Sequence, residues 1–231
     1  MTSDAITLVF DGDQTLWDFR SALDRALAET RLEIVRLTGI QLALVPTVAE
    51  ISAGRDQIAL QSSGARLDAV RQASFARLLA DMGVRANDET IERITRFFLG
   101  RRHEMCRPYR DAVPALRTLG ERYRLVLLSN GNSEPEQLGL GGLFAHTFFA
   151  DDIGAEKPSP AAYAYVAAAC PSRAFVSIGD SLENDIDGAH DSGWRTVWIN
   201  RDNRPLPERS HPDAVLNSLD GLAAVLEQFV F

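Results

Sequence analysis

Two aspartates, Asp11 and Asp13, stand one residue apart where the apolar run Ile6–Phe10 gives way to polar sequence. Gly12 between them lets the backbone turn with no side chain in the way, so both carboxylates can face one small volume. An Asp-Gly-Asp triplet alone reads equally well as an acidic turn. Other stretches give it weight. Ser129-Asn130-Gly131 ends a second apolar run, Lys157-Pro158 precedes a helical segment, and Gly179-Asp180 through Asp185 ends a third run. If these runs are strands of one parallel sheet, their ends share an edge, and Asp11, Asp13, Asp180 and Asp185 crowd one crevice. At ~4 Å and an effective dielectric of ~20, each like-charged pair costs about 4 kcal/mol. Such a cluster calls for cations. All-oxygen ligands without His or Cys suit a hard ion, above all Mg2+, which binds through one or two carboxylates and shares its other positions with water and phosphate. Lys157 supplies further positive charge, and it is the only lysine among 24 basic residues.

The elements that must position these residues follow from periodicity. From Phe19 the pattern turns helical for about ninety residues. One helix carries Phe19, Leu23, Ala26, Leu27, Ile34 and Leu37 up to Gly39, and a second follows Pro46 and Thr47 and fades near Ser62-Ser63-Gly64. A third carries Leu67, Val70, Ser74, Leu78 and Met82 and stops at Gly83, and Asn87-Asp88 caps a fourth that runs to Met105. From Asp111 helices and strands alternate. Strands are expected at 124–129, 147–150, 174–178, 196–199 and 213–216, with helices through Leu116, from Ser159 to Cys170, up to Gly193 and at the terminus. This alternation implies an α/β fold: a Rossmann-like, doubly wound parallel sheet, with an all-helical domain inserted after the first strand. The expected division is 1–17 with 108–231 for the catalytic core and 18–107 for the helical insertion.

Composition narrows the partners. A net charge of -8 argues against a nucleic-acid surface. The charge is uneven: residues 19–107 hold 14 Arg against 11 acidic residues, so the acidity resides in the remainder. No apolar run approaches the ~20 residues that span a bilayer, and the start has no basic leader, so a cytoplasmic protein away from membranes is expected. Cys106 and Cys170 lie far apart and read as buried thiols. Trp17, next to the turn that carries the two acids, reads as a packing residue or as part of the pocket mouth, with packing favoured, and the four histidines sit in no ligand spacing. A monomer or a homodimer is equally compatible with the chain.

Asp11-Gly-Asp-Gln-Thr-Leu, Ser129-Asn-Gly, Lys157-Pro and Gly179-Asp-Ser-Leu-Glu-Asn-Asp, in this order at strand ends, resemble the four motifs of the haloacid dehalogenase superfamily, in its phosphatase branch. The resemblance spans residues 6 to about 200. The helical insert resembles that family's first class of cap domain, and the 25 residues between Gly131 and Lys157 are too few for its alternative cap. Gln14 is a departure, because many members carry Gly there, and its side chain could alter the turn or the pocket floor.

The resemblance implies roles. Asp11 would be the nucleophile that forms an aspartyl-phosphate. Asp13 would protonate the leaving alcohol and deprotonate the attacking water, and its backbone carbonyl would join the metal. Ser129, with Asn130 in the same motif, and Lys157 would hold the phosphoryl oxygens. Asp180 and Asp185 would complete a Mg2+ site with Asp11 and Asp13. The implied activity is hydrolysis of a small phosphate ester. A phosphomutase would share all four motifs, a dehalogenase would need Asp11 but neither Asp13 nor a metal, and a non-catalytic phospho-ligand binder would not need intact Asp11, Asp13 and Lys157. Plainer readings exist residue by residue: Ser129 as the end of a strand, Asp185 as a first-turn acid on its helix dipole, and Lys157 as a solvated cation.

Overall fold

The computed structural model describes residues 5–61 and 66–230. The expected fading of the second helix at Ser62-Ser63-Gly64 lies outside the described residues. The chain divides into two compact units, Phe19–Cys106, and Met1–Asp18 with Arg107–Phe231.

Among the described residues of the first unit every regular element is a helix. Its helices are α1 (Phe19–Thr38), α2 (Val48–Gln61), α3 (Leu67–Asp81) and α4 (Asp88–Met105). Their ends are set by local chemistry. Thr47 and Glu50 form a capping box at the start of α2, the Glu50 carboxylate accepting from Thr47 N at 2.7 Å while Glu50 N donates to Thr47 Oγ1 at 3.3 Å. The Asn87 side chain accepts from Thr90 N at 2.9 Å at the start of α4. Gly39 and Gly83 follow α1 and α3 with φ of 72° and 70°, a region that favours glycine. The apolar stripes meet in a core of Ala26, Leu27, Ile34, Val45, Ile51, Phe75, Leu79, Ile94 and Phe98, in which the Phe75 and Phe98 rings stand edge-to-face at 5.5 Å.

The second unit is built on a six-stranded sheet, β1 (Ile6–Phe10), β2 (Arg124–Ser129), β3 (His146–Phe149), β4 (Ala174–Gly179), β5 (Arg195–Ile199) and β6 (Ala214–Leu216), in the order β3-β2-β1-β4-β5-β6 with every pairing parallel. The helices are α5 (Ala112–Gly120), α6 (Ala150–Ile153), α7 (Pro160–Ala169), α8 (Gly188–Asp191) and α9 (Leu222–Leu226). Central strands buried on both faces are apolar at nearly every position, which is why β1 and β2 read as near-continuous runs, interrupted in β1 by the buried Thr7. On one face Val9, Val126 and Leu128 pack with Tyr163 and Val166 of α7, while Leu8 and Phe10, which point the other way, are also fully buried. This is the doubly wound α/β fold expected.

β3 begins one residue earlier than expected and Ala150 already belongs to α6. The short helix expected up to Gly193 is present, beginning as a π-helical stretch, Leu182–Asp187, and continuing as α8. The chain leaves β1 for β2 and β3 on one side and returns to β4 on the other, so the sheet order reverses direction beside β1. Crevices in such sheets open outside the carboxyl ends of the strands at that switch point.

Candidate active site

The register lines the motifs up. Phe10 pairs with both Leu127 and Ile178, so Asp11, Ser129 and Asp180 lie at adjacent ends of β1, β2 and β4. Asp11 N donates to Ile178 O at 2.9 Å, which carries the β1–β4 ladder as far as the acid itself.

Carboxylate oxygens of Asp11, Asp180 and Asp185 all lie within 4.8 Å of one another. Lys157 enters this group from the loop before α7. Its Nζ donates to Asp11 Oδ1 at 2.9 Å and to Asp185 Oδ1 at 2.6 Å, and its side chain is 3% exposed. Burial opposes the ammonium charge, but Asp11 and Asp185 outweigh it and hold Lys157 above the usual lysine range. Asp11 moves the opposite way for a carboxylate. Burial lifts its pKa, Lys157 opposes, and Asp185, Asp180 and Asp13 push it further up, well above the ordinary carboxylate range. One ammonium does not neutralise this much negative charge. The donor set is three carboxylates with no nitrogen or sulfur ligand among them, which fits a hard divalent cation.

Each acid is placed by close backbone contacts. Asp185 accepts from Ser181 N at 3.0 Å through its second oxygen, while Ser181 Oγ accepts from Asn184 N at 3.2 Å and so starts the π-helical turn. A Cβ on Gly179 would lie 2.2 Å from the Asp185 carboxyl, so glycine is required at the end of β4. The Asp180 carbonyl accepts from Trp198 Nε1 at 2.9 Å and from Arg204 at 2.6 Å.

Asp13 stands outside the acid triplet. Its Oδ1 accepts from Trp17 Nε1 at 2.6 Å. Its Oδ2 lies on the side of Gly131, where an added Cβ would sit 2.7 Å from it and 3.3 Å from Ser129 Oγ. The oxygens that close on one another are those of Asp11, Asp180 and Asp185, and the Asp13 carboxylate is not among them. Ser129 is buried, and its Oγ accepts from Gly131 N at 3.0 Å, which leaves its hydrogen for a further acceptor. The Asn130 side chain is spent on the Lys157 backbone, accepting from its N at 2.8 Å and donating to its O at 2.7 Å. Asn130 thus holds the Lys157 backbone in place.

Besides this Asn130 clamp, two features escaped sequence reasoning. Trp17 is fully buried, and its indole N–H, a donor that seeks a partner when buried, meets the acceptor four residues back. That spacing within a tight turn was the available signal. Arg201, in the loop after β5, pairs with Asp111 at 2.9 and 3.1 Å, donates to Thr15 O at 2.8 Å and stacks over Tyr109 at 3.8 Å. Its partners lie 90 and 186 residues away, and nothing local in the sequence marks them.

Residues 7–193 match the family model for haloacid dehalogenase-like hydrolases. Over 231 aligned positions the chain is 29% identical to HAD-hydrolase YfnB of Bacillus subtilis (strain 168), covering 95% of this chain and 94% of that one. A crystal structure of YfnB bound to magnesium superposes with a TM-score of 0.75 at 26% identity, covering 97% of this chain and 99% of the other. Pyrimidine 5'-nucleotidase YjjG of Escherichia coli (strain K12) is 29% identical over 137 residues, 56% of this chain and 61% of YjjG. A 2-haloacid dehalogenase from Pseudomonas syringae pv. Tomato DC3000 has a TM-score of 0.80 at 26% identity, covering 98% and 100% of the two chains. The family match runs from β1 to Gly193, past every strand end that carries an acid of the site, and the chain belongs to the haloacid dehalogenase-like hydrolases.

Proposed function

We propose that the protein is a Mg2+-dependent phosphomonoesterase of the cytoplasm, acting on a small soluble phosphorylated metabolite, with residues 18–107 serving as the cap domain. The observation that carries this reading is a second carboxyl, Asp13, held beside Ser129 and Gly131 but apart from the Asp11–Asp180–Asp185 triplet. Hydrolysis of a phosphate ester needs both groups. The relatives include a nucleotidase and a dehalogenase, so resemblance alone does not choose between the two chemistries. A dehalogenase would use Asp11 and leave Asp13 and the remaining acids without a task.

In this reading Asp11 attacks phosphorus and forms an aspartyl-phosphate, which splits one hard displacement into two easier ones. Asp13 gives a proton to the departing alcohol and takes one from the attacking water, a contribution of typically ~10²–10⁴-fold. Ser129 Oγ–H and Lys157 Nζ hold the phosphoryl oxygens, and Asn130 acts through Lys157. Asp11, Asp180, Asp185 and the Asp13 carbonyl would hold Mg2+. Bound there, the ion offsets the charge of the carboxylates and of the phosphate dianion.

Asp11→Asn tests the proposal. Phosphate release should vanish while the melting curve stays at or above wild type, because removing one acid from the cluster relieves repulsion and leaves Lys157 paired with Asp185. Substantial release by a normally folded variant would remove Asp11 from the mechanism.

A further inference from the structure

Asp13 is held on one side and given room on the other. On one, the fully buried Trp17 places its indole N–H 2.6 Å from Oδ1, a short, charge-assisted distance. The ring has little freedom, because it lies so close over Gly12 that a Cβ there would come within 2.3 Å of a ring carbon. Backbone bonds close the same turn: Gln14 N donates to Trp17 O at 2.8 Å, and Leu16 N donates to Gly12 O at 2.8 Å. The indole bond is therefore not what makes the chain turn. On the other side Gly131, by having no side chain, leaves room for Oδ2 beside Ser129 Oγ.

We infer that Trp17 is a positioning residue that fixes which oxygen of Asp13 handles the catalytic proton, assigning Oδ1 to the indole and Oδ2 to the substrate. This rests on the phosphomonoesterase reading. In the first step an Asp11 oxygen bonds to phosphorus as the bond from phosphorus to the alcohol oxygen breaks. The bonding pair leaves with that oxygen, which takes the proton from Asp13 Oδ2. In the second step water bonds to phosphorus, its proton goes to Oδ2, and the bond between phosphorus and Asp11 breaks. Throughout, the indole holds Oδ1 and prevents the carboxyl from rotating. A carboxyl free to rotate would present the proton in the right place for only part of the time, and small misplacements of a catalytic group are costly.

The test compares p-nitrophenyl phosphate with phenyl phosphate in Mg2+, since the first has a leaving group that needs little protonation and the second does not. Trp17→Phe keeps a ring over Gly12 and removes only the donor. Its kcat/KM, which reports every step up to departure of the alcohol, should fall roughly tenfold for phenyl phosphate and far less for p-nitrophenyl phosphate. In an Asp13→Asn background the same substitution should cost nothing further. Equal slowing of both esters, or additive losses in the double variant, would overturn the assignment while leaving the phosphatase reading intact. Failure of the wild-type protein to release phosphate from these esters and from every member of a panel of phosphorylated metabolites would overturn both. If Trp17→Phe does not fold, the indole N–H resonances decide: the Trp17 signal should shift between wild type and Asp13→Asn, and an unmoved signal would refute the contact.

Discussion

At the scale of single residues, the site is a problem of charge held in a small space. Lys157 is the only lysine in the chain, and it sits buried between two carboxylates at 2.9 and 2.6 Å. A compact ammonium fits between them, whereas the planar guanidinium used everywhere else is wider and cannot place its charge at the same point. Lys157→Arg should therefore lose most of the rate, nearly as much as Lys157→Ala, as steady-state kinetics would show. Lys157→Ala should also cost about 3 kcal/mol of stability, because it leaves buried carboxylates unpaired. Wild-type turnover in Lys157→Arg would mean that any cation suffices. Gln14 makes a second point. Its φ of 63° is the left-handed region, where a side chain is strained by roughly 1 kcal/mol and glycine is not. Its amide donates a long bond, 3.4 Å, to Tyr109 Oη. Thermal unfolding should find Gln14→Gly no less stable than wild type and Gln14→Val clearly less stable, because a branched Cβ tolerates that region worst. A destabilised Gln14→Gly would mean that the side chain contributes more than its conformation costs.

Elements carry these residues to one edge, and their ends are where sequence and structure part company. β1, β2 and β4 were legible because strands buried on both faces leave near-continuous apolar runs, broken here only by Thr7 and Ser177 within β1 and β4. β3 was misplaced by one residue because it is an edge strand whose His146 and Thr147 are exposed, so its apolar signal starts late. The π-helical stretch at Leu182–Asp187 has no periodic signature, since its shape follows from the cap at Ser181 and the carboxylate contact of Asp185. The site acids themselves were legible from composition at strand ends. What holds them, the Trp17 indole, the Asn130 clamp and the Arg201–Asp111 pair, was not, because each contact depends on packing between segments. The last of these ties the loop after β5 and the start of α5 to the turn that carries the acids. Burial opposes ionisation of Asp111, but hydrogen bonds from Arg201 and Leu219 N, at 2.8 Å for the latter, hold its pKa below the usual range. A folded pKa below the unfolded ~3.9 means that the ionised form stabilises the protein above that value, and that this contribution fades as pH falls through the folded one. Asp111→Asn should thus lower stability at pH 7 by about 2 kcal/mol, and the gap from wild type should narrow below pH ~4. Denaturant titrations across pH would show it, and a gap that stays constant to low pH would contradict the role of the charge.

At the scale of the whole molecule the two units divide the composition as well as the fold. The helical unit, whose chemistry is a packed core without a motif of its own, holds most of the arginine, and the sheet unit holds the acids that define the site. The parallel sheet with an all-helical insertion was readable from the change of hydrophobic period at Phe19 and its return near Asp111. Among the described residues no helix is long and apolar enough to cross a membrane. Substrate identity was never legible, because specificity depends on which side chains meet the ester and not on the motifs that cleave it. The family includes proteins that cleave carbon–halogen bonds and proteins that cleave phosphate esters, so the claim most open to direct test is the choice between them. The decisive measurement places the purified protein with a panel of phosphomonoesters and, separately, with a 2-haloacid, each in Mg2+ and in excess chelator. The account predicts inorganic phosphate release that requires Mg2+ and disappears in the chelator, with no halide from the haloacid. Halide release that persists in the chelator, without phosphate release from any ester, would contradict it.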